Sequence, residues 1–145
     1  MSKGDAFEAA LLDLIFLNID VANIGDAAGL QNSATAGSLF VALHTADPGE
    51  AGTQTTSEIA YTGYARVGVA RSGVGWTRTG SSISPAANID FGACTAGSGT
   101  ATHFSVGTLS SGAGMILYKG AISPTIAVSA GVTPRLTVST AITEE

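Results

Sequence analysis

The hydrophobic and polar positions of this chain change their period once, near residue 38. Before that point, apolar residues recur at the spacing of one helical face, at Phe7, Leu11, Leu14 and Ile15. This spacing predicts a helix over residues 5–17. Residues 18–38 carry no strong period, which indicates an irregular arm between the helix and the elements that follow.

The predicted helix is apolar beyond one stripe, because Leu12, Phe16 and Leu17 widen its hydrophobic surface. A helix of this kind must be covered on more than one side. It can cap the β core of its own domain, or it can pack against another subunit. The second alternative makes Phe7 and Leu11 candidate interface residues.

From Leu39 onward the pattern is that of short strands separated by Gly, Ser, Pro and Asn. Strands are predicted at Leu39–Thr45, Tyr64–Arg71, Val74–Thr79, Ser81–Ser84, Asn88–Phe91, Thr100–Val106, Met115–Ala121, Ile126–Val128 and Pro134–Val138. Tight hairpin corners are predicted at Ser72-Gly73 and Thr79-Gly80. The fold class is therefore mainly β: an antiparallel, jelly-roll-like β-sandwich with an N-terminal α-helix. We divide the chain into a helix and arm, residues 1–38, and a sandwich, residues 39–145, within one structural unit.

The composition is unusually poor in charge. Only 12% of the residues are charged, about half the usual share of ~25%, and Gly, Ala, Ser and Thr make up just over half of the chain. Either the protein buries much of its surface against neighbours, or it is a Thr/Ser-rich β-protein that stays soluble at a net charge of −5.

The charges that do occur are unevenly distributed. Residues 4–65 contain acids and no Lys or Arg, whereas the stretch from Arg66 to Arg135 contains five bases and the single acid Asp90. Such a split can set the register between two subunits, or the two halves can attract each other within one subunit. We favour the second explanation. The bases are too sparse for a nucleic-acid footprint, and a pI of 4.8 opposes one.

No constellation of residues predicts catalysis or a cofactor. Cys94 is the only cysteine, which excludes an intramolecular disulfide and is typical of a small buried residue. His44 and His103 lie in predicted strands, where a structural role is the usual one, and no nucleophile elbow, zinc-protease or phosphate-loop motif occurs. Asp47 and Glu50 indicate a turn and not a cation site, since two carboxylates are too few. We expect no enzyme activity, metal, signal peptide or membrane span.

The segment from Ala46 to Ala65 is long for a hairpin loop in a compact domain, and long ordered loops are often functional. We expect it to contact another subunit, with the N-terminal segment and the acidic tail 143–145. Trp76 is assigned to the core, with its indole N–H bonded to backbone. Aromatic residues next to arginines are typical interface anchors. The candidate interface residues are Phe7, Leu11, Asp47, Glu50, Tyr61, Tyr64, Arg66 and Arg71.

Two short motifs of the same region carry a family resemblance. Residues 44–50 read HTADPGE and residues 61–67 read YTGYARV. The segment resembles one in small virion proteins of tailed bacteriophages, often labelled tail fiber and sometimes capsid cement or decoration protein. The resemblance extends from the N-terminal helix through Pro134.

This resemblance implies a structural protein of the virion. We expect a capsid cement protein, made in the host cytoplasm, that binds the major capsid protein on the outer surface of the head and stabilises the assembled shell. It would form a homodimer or a homotrimer, since closed symmetry suits lattice two-folds and three-folds. A tail fiber or tail-associated protein is the first alternative, although the chain lacks shaft repeats. A carbohydrate-binding module on the virion surface is the second, although aromatic residues are few.

Overall fold

A computed structural model describes residues 2–145. Its secondary structure confirms the predicted class, which is mainly antiparallel β and sandwich-like, with one short N-terminal helix. The jelly-roll topology stays a prediction. The strands are β1 (Ser38–His44), β2 (Val67–Ala70), β3 (Trp76–Thr79), β4 (Ser82–Pro85), β5 (Ile89–Asp90), β6 (Gly99–Gly107), β7 (Ile116–Val128), β8 (Arg135–Leu136) and β9 (Ile142–Thr143).

The described chain divides into two compact units. The terminal unit contains both chain ends: the residues up to Ser38, Val69–Asn88 and Thr137–Glu145. The central unit consists of Leu39–Gly68 and Ile89–Leu136. The boundary that the sequence places at residue 38 stays a prediction.

The N-terminal helix has two parts. α1 (Asp5–Leu12) continues directly into a π-helical turn, Asp13–Leu17. Asn18 ends the turn in the left-handed conformation, with φ of 58°, which is a common way to stop a helix. The helical stretch therefore has the predicted extent, but its second half is wound more widely.

The buried face of this helix differs from the predicted stripe. Leu12 and Phe16 are fully buried and Glu8 is nearly so, whereas Phe7 is exposed and Leu11 is half-buried. Because the helix is apolar on several sides, its pattern alone does not select the packing face. The selection comes from Phe16, whose ring lies edge-on to that of Trp76 at 4.7 Å.

The terminal unit contains the three-stranded sheet β3-β4-β9. The β3–β4 hairpin turns at Gly80, as predicted, with φ of 60°. The hairpin predicted at Ser72-Gly73 is wrong. There the carbonyl of Ser72 accepts the N–H groups of both Gly75 and Trp76, so the chain makes a wide turn, and β2 and β3 belong to different sheets.

Trp76 lies in the core as predicted, since only 2% of it is exposed. The prediction that its indole N–H bonds to backbone is wrong, because Nε1 has no hydrogen-bond partner among the described residues. Its packing against Phe16 fixes the ring edge-to-face, an arrangement that stabilises aromatic pairs by about 1 kcal/mol beyond simple burial.

The central unit is organised around the sheet of order β2-β1-β6-β7, which β2 enters with its first two residues, Val67 and Gly68. β1 and β6 are antiparallel, from the pair Phe40–Gly107 to the pair His44–His103. Val41, Leu43 and Val106 are almost fully buried. The short antiparallel pair β5–β8 completes the unit.

β7 joins two strands that the sequence predicts as separate. It pairs with β6 on both sides of a bulge at residues 122–125, which contains the cis Ser123–Pro124 bond. A proline removes one ladder donor and is typical of strand edges and bulges. β7 is the outer strand of its sheet, which explains why the proline fits there.

The ion pairs explain the uneven charge distribution. Asp13 pairs with Arg78 at 2.5 Å in the terminal unit, and Glu58 pairs with Arg66 at 2.7 Å in the central unit. Lys119 lies 3.0 Å from Asp47. In each pair, a residue of the acidic stretch meets a base of the later stretch, which supports attraction within one subunit.

Candidate functional site

A groove in the central unit brings three predicted interface residues together. Its volume is about 730 Å³, and it is formed by the segments 58–62, 64–66, 96–97 and 110–112. Tyr61, Tyr64 and Arg66 all line it. We call it the tyrosine groove.

A partly buried ion pair lines this groove. Arg66 donates from Nε to Glu58 Oε1 at 2.7 Å and from Nη2 to Glu58 Oε2 at 2.8 Å, which is the two-pronged geometry typical of arginine and a carboxylate. The Arg66 side chain is 2% exposed and that of Glu58 is 17% exposed. The hydrogen bond to Glu58 raises the pKa of the guanidinium, so Arg66 remains charged.

The same guanidinium holds the rim of the groove. Nη1 donates to the carbonyl of Leu109 at 2.9 Å, and Nη2 donates to that of Gly112 at 2.8 Å. The Gly/Ser loop at 109–112 is thereby attached to the segment that carries Arg66. All nitrogens of the Arg66 guanidinium are bonded within the central unit, which gives Arg66 a clear structural role. A role of Arg66 at an interface stays a prediction.

The two tyrosines stand beside this ion pair. Their rings meet edge-on at 5.4 Å. Tyr64 donates its hydroxyl to Glu58 Oε1 at 2.9 Å and accepts the N–H of Leu43, and burial raises the pKa of this hydroxyl. Burial also raises the pKa of Tyr61, whose hydroxyl donates to the carbonyl of Gly92 at 2.8 Å. Both phenols therefore remain protonated.

Asp47 and Glu50 lie in another part of the central unit. Both contact Lys119 of β7, at 3.0 Å and 3.1 Å. The N–H of Gly49 lowers the pKa of Asp47, as does Lys119. A smaller cavity of about 250 Å³ lies between the turn at 49–52 and residues 116–119 of β7, so this turn runs along the outer edge of the sheet.

Arg71 belongs to the terminal unit and caps the helix. Its Nε donates to the carbonyl of Ile15 and its Nη2 to that of Leu14, both at 2.7 Å. Nη1 reaches the carbonyl of Ala36 at 3.2 Å. Carbonyls in the last turn of a helix have no partner within it, and a cation there also favours the helix dipole. Phe7 and Leu11 lie on α1 in the same unit.

The two histidines differ in their surroundings. His44 is fully buried; its Nδ1 lies 2.8 Å from the carbonyl of Thr56 and its Nε2 2.8 Å from the hydroxyl of Ser105. A carbonyl only accepts, so Nδ1 carries the proton and Nε2 accepts from Ser105. Desolvation by burial lowers the pKa of His44. His103 is half-buried and contacts the hydroxyl of Thr102.

Within residues 2–145, no group of three or more His, Cys, Asp or Glu side chains could hold a metal ion. No helix in that range is long and apolar enough to span a membrane. Cys94 is buried, as predicted, and its thiol faces the carbonyls of Ala96 and Gly97.

Comparison with known families shows the family of the chain. A family model described as podophage GP4 fiber I protein gp80 matches residues 5–143. The chain belongs to this family. No curated protein gives a significant match to the chain. The resemblance seen in the sequence is confirmed: this is a structural protein of the tailed-phage virion, of a family labelled fiber.

Sequence reasoning missed two residues of this region: Glu58, which lines the groove, and Gln54, which bonds to the adjacent loop. Gln54 is fully buried; it donates to the carbonyl of Phe40 at 3.0 Å and accepts the N–H of Leu109 at 3.0 Å. Glu58 is the partner of Arg66. No local pattern identifies either one, because both lie in a polar loop. The unusual length of that loop was the one sequence feature that pointed to this region.

Proposed function

We propose that the protein is a subunit of the phage fiber that acts through protein–protein contacts and performs no chemistry. The observation that carries this proposal is the fiber I family match, which extends over almost the whole chain. A structural subunit needs shape and contact area but no reactive groups.

Two features of the molecule support this role. Large apolar residues are exposed in both units, with Val74 at 85% and Met115 at 65%, and a surface poor in charge opposes contact with another chain less than a highly charged one does. His44, a candidate for acid–base chemistry, has both ring nitrogens bonded inside the fold.

The second candidate is a capsid cement protein on the outer surface of the head. The short strands, which form no repeating shaft pattern, favour it. Such a protein would bind the major capsid protein as a dimer or trimer. It would stabilise the shell by mass action, because it binds the assembled state and not the free subunits.

An asymmetric cryo-EM reconstruction of the parent virion tests both candidates. The fiber role predicts density that fits this chain on the tail or its fibers. Copies at symmetry-related sites over the head would overturn it in favour of the cement role. A virion without the chain at either place would contradict both.

A further inference from the structure

We propose that the arm at residues 18–37, which joins the helical segment to β1, docks onto a different protein of the virion. The surface that receives it is apolar at its centre and carries lysine or arginine at its rim. This inference rests on the proposed function, because a fiber subunit is attached to another component of the particle. It adds which surface makes the attachment and what chemistry the partner supplies.

The arm lies almost wholly on the surface of the terminal unit. From residue 19 to residue 38, only Val21 is buried, and Gly29 and Ala36 are half-buried. A connection of this length without a helix or strand of its own is uncommon in a compact protein and is often functional. Its own packing does not explain why the chain keeps it.

Hydrogen bonds within the arm hold it in one conformation. The side chain of Asn18 accepts the N–H of Ser33 and donates to the carbonyl of Ser33, both at 2.9 Å. Val21 and Leu30 exchange two backbone bonds of 2.9 Å. A surface that is fixed in advance lowers the ordering cost of binding, so a partner meets a surface that already has its shape.

Three large apolar side chains of the arm are exposed. Ile19 is 49% exposed, and Ile24 and Leu30 are each 40% exposed. The backbone bonds between Val21 and Leu30 place Leu30 opposite a residue only two positions from Ile19. Single exposed apolar residues are normal, whereas several on one small surface are typical of an interaction site. The centre of the partner surface is therefore apolar.

The free charge of the arm is acidic. Asp20 accepts the N–H of Asn32, and Asp26 accepts those of Ala28 and Gly29. Neither carboxylate forms an ion pair within residues 2–145. Opposite charges across an interface steer the encounter and fix the register. The partner therefore carries lysine or arginine.

A second copy of the chain does not supply that charge. Each of the six Lys and Arg residues is already engaged with a carboxylate or a backbone carbonyl of its own subunit. Two copies that meet through the arm would bring acids to acids, and like charges across an interface disfavour such a pair. The occupant is therefore a different protein.

The first test is photo-crosslinking in purified particles of the parent phage. An amber codon at position 24, in a host that inserts p-benzoylphenylalanine there, puts a photo-reactive apolar side chain on the arm. We expect irradiation to join the chain to a different virion protein, and mass spectrometry to place the joined site beside lysine or arginine. A product of two copies of this chain, or no product, overturns the proposal.

Two pairs of double variants test the apolar contact. Ile24→Ser with Leu30→Ser should make the chain dissociate from particles at least about tenfold faster, since interface changes act mostly on the off-rate. Leu109→Ser with Met115→Ser, at exposed apolar positions of the central unit, should dissociate like the unchanged protein. Mass spectrometry of pelleted particles against time measures both. Equal rates in the two pairs overturn the assignment to the arm.

The charge contact is tested in the same way. Asp20→Asn with Asp26→Asn keeps the oxygens that accept N–H groups and removes both charges. It should dissociate faster than the unchanged protein at about 50 mM salt and by less at about 500 mM, because salt screens charges. Glu50→Gln with Asp90→Asn makes the same charge change in the central unit and should have no effect. An arm variant that dissociates like this control contradicts the basic rim.

Melting of the purified variants verifies that each one folds. Particles that lack the unchanged chain would contradict the proposed function and this inference together. Particles that hold the chain but give no crosslink from position 24 would contradict the docking arm alone.

Discussion

At the scale of single residues, the central unit buries polar side chains and gives each of them partners. His44, Gln54 and Arg66 are all buried, and each bonds to backbone carbonyls or side chains of the same unit. A buried polar group that loses its partner costs about 1–3 kcal/mol, more if it is charged. These residues therefore specify the loop conformations around the tyrosine groove.

The neutral form of His44 makes stability depend on pH. Burial lowers its pKa in the folded state from the usual 6.5, so between these two pKa values the unfolded chain binds more protons than the folded one. The free energy of unfolding should fall as the pH drops below about 6.5 and should level off below the folded pKa. Urea titrations between pH 4.5 and 8 measure this slope.

His44→Gln replaces the titrating ring with an amide that can still donate and accept, and it should flatten the slope. His103→Gln changes a half-buried histidine on the paired strand and keeps His44, so it should retain the slope. An unchanged pH dependence in His44→Gln would assign the effect to another group.

The Glu58–Arg66 pair should show strong coupling. Arg66→Met removes the guanidinium from two carbonyls and from a carboxylate that keeps only the Tyr64 hydroxyl, and we expect a loss of about 3 kcal/mol, the low end for buried pairs that lose one member. Combining it with Glu58→Gln should cost clearly less than the sum of the single changes. A double-mutant cycle by urea denaturation measures the coupling, and additive losses would contradict it.

At the scale of elements, Arg71 fastens the end of the helical segment. Arg71→Met should lower the free energy of unfolding by roughly 2–3 kcal/mol, because the carbonyls of Leu14 and Ile15 lose a charged donor. Amide exchange in residues 13–19 should accelerate as well. Both effects can be measured on one labelled sample.

Arg78→Met in the same unit is the matched control. It removes the half-exposed ion pair with Asp13, and exposed pairs contribute about 0–1 kcal/mol. Equal losses in the two variants would show that Arg71 acts only as a surface charge.

Lys119 protects the outer edge of β7. Edge strands present unpaired backbone groups, and a lysine there discourages pairing with another chain. Lys119→Val removes the charge and the contacts with Asp47 and Glu50 that hold the adjacent turn. We expect concentration-dependent association, measured by light scattering. Lys3→Val, which removes a base outside β7, should scatter light like the unchanged protein. If neither variant associates, the protective role of Lys119 is contradicted.

The sequence predicts most elements but not how they connect. Gly and Pro punctuation identifies eight of the nine strands, because these residues break the backbone pattern wherever they occur. The same signal divides β7 at Pro124, where the chain bulges and continues. β9 is too short, at two residues, to form a pattern. The partner of Arg66 and the packing face of α1 depend on contacts distant in sequence, which periodicity does not encode.

At the scale of the whole molecule, the bases are engaged and the surplus charge is acidic. Five of the six Lys and Arg residues form ion pairs within residues 2–145, and the sixth, Arg71, bonds to carbonyls. Duplex DNA binds through bases that replace its counterions. We expect no gel shift with double-stranded DNA even at about 50 mM salt, a low concentration at which phosphate contacts are strong. A gel shift that weakens as salt is added would contradict this expectation.

The single buried cysteine has a consequence for the working life of the protein. A virion component meets the reducing interior of a cell and the oxidising medium outside it. Cys94 is 1% exposed and is the only thiol of the chain, so neither environment makes or breaks a disulfide within a subunit. The subunit can therefore pass between the two redox compartments without a change in disulfide bonding, and an added reductant should leave its stability unaltered.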